Sequence, residues 1–168
     1  TDLTVESRVN FDAESGDSWD VMISKGYDSA ATGEWAFYRH PTTDKIELQV
    51  AYSDAASEYF YASTIINLDT WYHIAYTYTS STLANRVILN GLDDGGGKGT
   101  GARRGLTGAM NFGRREATTG ATTNRFKGYL DEVRISNRAR QSFRLTKHPS
   151  GIDRGWISEE LISGGVIS

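Results

Sequence analysis

The run Leu3-Thr4-Val5-Glu6-Ser7-Arg8-Val9-Asn10-Phe11 places apolar residues mostly at odd positions and polar ones between them. A two-residue period is what an extended strand imposes, because successive side chains leave opposite faces, and a 3.6-residue helix has no use for it. Such a strand has one face against a core and one toward water. The same alternation returns in Lys45-Ile46-Glu47-Leu48-Gln49-Val50-Ala51-Tyr52. Further strands are expected at Asp20 to Lys25, Glu34 to His40, Glu58 to Ser63, Trp71 to Thr79, Arg86 to Asn90 and Arg125 to Ser136. Clusters of Gly, Asp, Ser and Thr at 14–18, 26–33, 41–44 and 79–84 punctuate them as turns.

Many short strands at regular spacing, with no helical period between them, predict an all-β chain. The expected architecture is a two-sheet antiparallel β-sandwich of the jelly-roll kind, with less than about a tenth of its residues in helix. The 168 residues suit one domain with its own core better than two undersized ones. Residues 1–140 carry the strand pattern. From Gly91 to Gly108, a stretch that contains Asp93-Asp94-Gly95-Gly96-Gly97-Lys98-Gly99, the pattern lapses, and a mobile surface loop is expected. Residues 141–168 form an irregular C-terminal segment, expected to pack on the sandwich or on a neighbour, with Trp156 as its anchor.

Charge and composition exclude several functions. A net charge of −3 offers no basic surface on the scale that a run of phosphates demands, so nucleic acid is not an expected partner. No stretch approaches the roughly 20 apolar residues of a membrane span. Without cysteine there is neither a disulfide framework nor a thiolate metal site nor a Cys nucleophile. No Asn stands two residues before Ser or Thr, so the N-glycosylation acceptor of many eukaryotic extracellular domains is missing.

Three blocks, in order along residues 1–140, resemble the bacterial laminin-G-like family with the concanavalin A-like fold. The first is Leu3 to Val9 followed by Ile23-Ser24-Lys25-Gly26. The second is Trp71-Tyr72-His73-Ile74-Ala75-Tyr76-Thr77-Tyr78, continuing to Val87-Ile88-Leu89-Asn90-Gly91. The third, and the most specific, is Phe126-Lys127-Gly128-Tyr129-Leu130-Asp131-Glu132-Val133-Arg134-Ile135-Ser136-Asn137-Arg138-Ala139-Arg140. The resemblance implies a concanavalin A-like jelly roll, an extracellular, cell-surface or virion-associated setting, and other domains of a larger chain as neighbours.

Many members of that family carry a structural calcium ion, and the resemblance makes Asp131 the candidate ligand, with Asp2, Asp20 and Asp28 as further oxygen donors. By alternation Asp131 shares a face with Val133 and Ile135, and a carboxylate on a core face needs a partner. An ion pair with Arg, or hydrogen bonds from backbone amides, would serve as well as a metal.

Aromatic rings beside polar groups are what sugar recognition uses, since a ring face stacks on a sugar while its neighbours bond the hydroxyls. Trp19, Tyr27 and Asp28, in or beside polar loops, are the expected ligand-binding residues, and Trp35 is a further candidate. Trp35 and one of Tyr59 and Tyr61 also suit core filling. The pairs Arg103-Arg104 and Arg114-Arg115 could grip an acidic glycan or a protein, or form a solvated face. His73, isolated on a strand, suits a structural role, and His40 and His148 lack the spacing of a zinc site.

Catalysis lacks its usual parts. The Glu-x-Asp-x-x-Glu spacing of a retaining glucanase is absent, and the adjacent Asp131 and Glu132 point to opposite faces, unsuited to act as acid and base on one bond. The expectation is a non-catalytic module that binds carbohydrate. Its alternative is a structural or adhesive domain that contacts a surface protein.

Overall fold

The computed structural model describes residues 1–12, 19–26, 33–52, 57–105, 108–116 and 122–143. Twelve strands occupy them: β1 (Leu3–Phe11), β2 (Asp20–Gly26), β3 (Gly33–Arg39), β4 (Lys45–Ala51), β5 (Ser57–Ile65), β6 (Trp71–Thr79), β7 (Ala84–Leu89), β8 (Leu92–Lys98), β9 (Met110–Phe112), β10 (Arg115–Glu116), β11 (Thr122–Thr123) and β12 (Gly128–Ser136). No helix occurs among the described residues. The strands are rich in Val, Ile, Tyr, Phe and Thr, whose branched or flat side chains pack well on a pleated surface.

Ten strands form one continuous curled sheet in the order β12-β1-β6-β7-β8-β5-β4-β3-β2-β9, and β10 pairs with β11 apart from it. The expected all-β antiparallel jelly roll is present, with its strands joined in one ladder where two separate sheets were expected. The ladder is nearly interrupted between β5 and β8, which share the single register pair Ala62↔Gly95. On either side of that joint the sheet folds over, and its two halves enclose one core. Val5, Val9, Ile74, Tyr76 and Val87 come from the β1 half; Ile23, Trp35, Phe37, Leu48, Val50 and Phe60 come from the β2–β5 half. Trp35 on β3 and Tyr76 on β6 meet across the middle, with ring centroids 6.4 Å apart. Each fully buried large apolar side chain stabilises the fold by about 1.5–3 kcal/mol.

The segment expected as a mobile loop contains β8, a second correction. Asn90 and Gly91 both adopt positive φ, 49° and 79°, as in the two-residue turn whose twist matches paired strands, so β7 and β8 form a hairpin. Glycine is required within β8 by close approach: a Cβ on Gly95 would stand 2.0 Å from the Tyr61 carbonyl oxygen, and one on Gly96 2.1 Å from that of Asn85.

Beyond β12 the chain turns back over β1. The Thr4 hydroxyl donates to the Arg138 carbonyl at 2.5 Å and accepts from the Arg140 amide at 3.0 Å. Glu6, buried, is held by His73 Nε2 at 3.1 Å and by the Arg140 guanidinium, and the Phe143 ring lies 5.4 Å from that of His73. Burial pushes the Glu6 carboxyl up, but the His73 hydrogen bond and the Arg140 charge outweigh it and hold the group below its ordinary value. His73 is thus a structural partner. Residues 144–168, with the expected anchor Trp156, lie outside the described residues.

Candidate ligand-binding face

Strands β2–β5 turn Ile23, Trp35, Phe37, Leu48, Val50 and Phe60 inward, so their alternate residues make an outer face. One row of register partners crosses five strands: Asn111, Ser24, Ala36, Gln49 and Tyr59. The next row is Val21, Tyr38, Glu47 and Tyr61. Tyr59 and Tyr61, side by side on β5, are 47% and 49% exposed, whereas Phe60 between them is buried.

Hydrogen bonds order the centre of this face. The Ser24 hydroxyl donates to the Arg114 carbonyl at 3.2 Å, which sets the chain entering β10 above β2. From there Arg115 reaches over β3, where the small Ala36 stands in register, and its Nη1 donates to Gln49 Oε1 at 2.7 Å. Gln49 Nε2 donates in turn to the Tyr59 hydroxyl at 3.2 Å. A shallow cleft with an empty volume of about 160 Å³ lies along this line, between Gly33, Glu34, Gln49, Ala51, Ser57 and Arg115. That space includes open solvent and encloses nothing of ligand size, so a ligand would lie on the face more than inside it.

Two carboxylates mark the ends. Glu34, 1% exposed, is shared by Lys25 Nζ at 2.7 Å and the Arg103 guanidinium. Glu47, equally buried, accepts from the Tyr38 hydroxyl at 2.7 Å, with His40 Nε2 at 3.9 Å. Burial raises the Glu47 carboxyl above its ordinary value despite hydrogen bonds from Tyr38 and Tyr61 and the charge of His40. Burial and the adjacent carboxylate also push the Tyr38 phenol up, so it stays a donor. Among the described residues, buried Asn111 Nδ2 and Ser57 Oγ on this face meet no hydrogen-bond partner. Leaving such groups unmet costs about 1–3 kcal/mol each.

A family model for laminin-G-like domains, described as the concanavalin A-like lectin/glucanases superfamily, matches residues 1–143. The chain belongs to the laminin-G-like family. No curated protein matches its sequence.

Among solved structures, this laminin-G-like chain is similar to the sialidase CBM40 of Ruminococcus gnavus bound to α2,3-sialyllactose, at 11% identity and a TM-score of 0.66, covering 83% of this chain and 78% of that one. It is similar also to a heptameric SAP-like pentraxin of Limulus polyphemus, at 17% identity and a TM-score of 0.63, covering 83% of this chain and 65% of that one. A third is the NanB sialidase of Streptococcus pneumoniae, at 14% identity and a TM-score of 0.67, covering 83% of this chain and 22% of that one. The laminin-G-like chain therefore spans less than two thirds of the pentraxin and under a quarter of the sialidase. At these identities the likeness shows the shared fold.

Of the residues expected to bind ligand, Trp19 falls on the outer face. It is half-buried, its ring edge-on to Tyr38 at 4.8 Å and to His40 at 4.7 Å, over a small cluster of Val21, Ala36 and Tyr38. Trp35 points the opposite way, 3% exposed in the core, with no ring face left for stacking. Tyr27 and Asp28 lie outside the described residues. Tyr59 and Tyr61 are both outward, contrary to the expectation that one fills the core. The alternation around buried Phe60 carried that signal.

Asp131 is not on the face of Val133 and Ile135. Ser7 opposes two residues of β12, Glu132 and Val133, in a bulge where Glu132 has φ 50°, and the slip puts Asp131 in register with Arg8. Asp131 Oδ1 accepts from the Glu132 amide at 2.8 Å, and its carbonyl accepts from the Ser7 hydroxyl at 3.0 Å. Asp2 accepts from the Ser80 amide and hydroxyl, and Asp20 pairs with Arg39 at 3.0 Å. No group of three or more His, Asp or Glu able to hold a metal occurs among the described residues. No helix among them is long and apolar enough to cross a membrane.

Proposed function

We propose that the chain is a non-catalytic carbohydrate-binding module whose ligand lies on the outer face of β2–β5. The observation that carries this reading is the pair of half-exposed rings, Tyr59 and Tyr61, beside Gln49 and Arg115, whose polar atoms are already fixed by hydrogen bonds. Ring faces supply stacking area, and preset donors lose little freedom when they meet a hydroxyl. Asn111 Nδ2 and Ser57 Oγ on the same face, unmet among the described residues, offer further partners. Trp19 closes the end nearest Tyr38. The module acts outside the cell or on its surface, as one part of a longer protein.

The two carboxylates of this face are poorly placed for glycoside cleavage. Glu34 stands four residues along β3 from Tyr38, the register partner of Glu47, so the backbones are about 13 Å apart at about 3.3 Å per residue. Acid and base in glycosidases stand about 5–9.5 Å apart. Glu34 is besides neutralised by two cations.

Screening the folded domain against an oligosaccharide array, with Tyr59→Ala and Tyr61→Ala alongside, tests the reading. Binding that weakens in both variants supports it. Absence of any bound glycan, or binding untouched by both variants, removes it.

A further inference from the structure

On the half of the sheet opposite the proposed ligand face, the chain lies over its own strands. Val5 and Val9 of β1 point into the core, so Thr4, Glu6 and Arg8 point outward, and their register partners on β6 are Thr77, Ala75 and His73. Residues 137–143 cross these rows as a strap. Among the described residues, none of the strap's backbone groups joins a ladder or any other backbone hydrogen bond. Side chains fasten it instead. The Thr4 hydroxyl bridges the Arg138 carbonyl and the Arg140 amide, and Arg86 Nη1 on β7 donates to Gln141 Oε1 at 3.3 Å.

Four side chains close a ring around the middle row. The Glu6 carboxylate accepts from His73 Nε2 at 3.1 Å and from the Arg140 guanidinium. That guanidinium lies 5.1 Å over the Phe143 ring, and the Phe143 ring stands 5.4 Å from His73. Thus β1, β6 and the strap meet on one carboxylate, 5% exposed. The ionisable groups facing it are His73 on β6, Arg140 on the strap and Arg134, its register partner on β12, with Arg8 the next outward residue of β1. From β7 the same row receives Ile88, which carries no charge. Glu6 is therefore the one anion of the ring, and without it the cations have nothing to neutralise them there. Arg140 is partly exposed and can turn to water. No strap residue belongs to the core, so the sandwich does not need the strap to stay folded.

We propose that residues 137–143 form a strap latched across β1 and β6 by the Glu6 charge, and that acid releases the strap as a unit while the sandwich stays folded. Release moves the point where the chain leaves the sheet from His73 on β6 back to Ser136 at the end of β12. The sign follows from Glu6. Burial pushes its carboxyl up, but the His73 hydrogen bond and the charges of Arg140, His73 and Arg134 outweigh that and hold it below the ordinary value. A carboxyl so lowered stabilises the latched state above its unlatched value, and the contribution is lost as pH falls through the latched one.

The test is backbone nitrogen relaxation by NMR on the intact chain, at neutral and acidic pH, for wild type and Glu6→Gln. At neutral pH the wild-type strap should be as ordered as β6, with order parameters of about 0.85, and in acid it should fall below about 0.6 while β1 and β6 keep theirs. In Glu6→Gln the strap should be loose at both pH values. Should that variant fail to fold, Arg140→Gln, which removes the partner from the strap itself, and the wild-type pH series decide. A strap equally ordered in all samples overturns the latch. So does acid loosening that persists in a Glu6→Gln chain ordered at neutral pH, and so does loosening that always takes β1 and β6 with it.

Discussion

Arg115 and Gln49, sixty-six residues apart in sequence, are joined by a 2.7 Å hydrogen bond over the outer face of β3. Gln49 spends its other polar atom on Tyr59. The short strand β10 is thereby tied to the aromatic strand β5 through two hydrogen bonds in series.

Removing the middle member should loosen both ends. Gln49→Ala is expected to destabilise the fold by about 1 kcal/mol, the net worth of a typical hydrogen bond, and to weaken glycan binding more than that loss of stability explains. Urea unfolding and calorimetry on the same preparation would show it. Stability lost with affinity kept would mean that the bridge is structural only.

Glu47 predicts a pH effect with a definite sign. Its carboxyl lies above the ordinary value because burial disfavours the ionised form. The folded chain therefore holds that proton more tightly than the unfolded chain. The resulting stabilisation is complete below the unfolded value and disappears as pH rises through the folded one. Glu47→Gln, which keeps an acceptor for the Tyr38 hydroxyl, should melt higher than wild type at neutral pH and match it at acidic pH. A constant difference across pH would assign the effect to something other than ionisation.

At the joint of the curled sheet, Gly95→Ala places a methyl group against the Tyr61 backbone oxygen, where no flexible atom can give way. A cost of about 1–3 kcal/mol is expected from such overpacking. Because Tyr61 belongs to the aromatic pair, the same variant should also lower glycan affinity in whatever fraction stays folded. A melting temperature equal to wild type would show that β5 and β8 are not held as closely as described.

Asp131 serves the backbone of its own bulge, so Asp131→Ala should cost about 1 kcal/mol for the lost hydrogen bond to the Glu132 amide. Any rise in melting temperature on adding calcium should be the same in the variant as in wild type. A calcium-dependent rise that vanishes with Asp131 would instead establish this residue as a metal ligand.

Eight long strands were legible in the sequence because each has one face in the core and so alternates visibly; β1 and β6 end where the pattern ends. The strand β8 was hidden, since Asp93, Asp94 and three glycines carry no hydrophobic period. Its trace lay in the Asn90-Gly91 dipeptide directly after an apolar run, a turn signal and not a strand signal. Closure into a single sheet was beyond reach for the same reason, because the joint depends on glycine backbones approaching within van der Waals distance. At Asp131, period-two counting fails once a bulge inserts a residue. Trp19, expected in or beside a polar loop, stands just before β2 and packs on the small outer cluster of Val21, Ala36 and Tyr38. The bridge between Arg115 and Gln49 is a matter of which loop lies over which strand, and no local pattern records that.

Affinity of the intact domain for its best array glycan, measured by calorimetry for wild type, Tyr59→Ala and Tyr61→Ala, bears most directly on the central claim. Loss of a stacked ring face should weaken binding by about 1–3 kcal/mol in each variant, roughly five-fold to a hundred-fold, with melting temperatures close to wild type because both rings stand half in solvent. Wild-type affinity in both folded variants would contradict the placement of the ligand on the outer face of β2–β5.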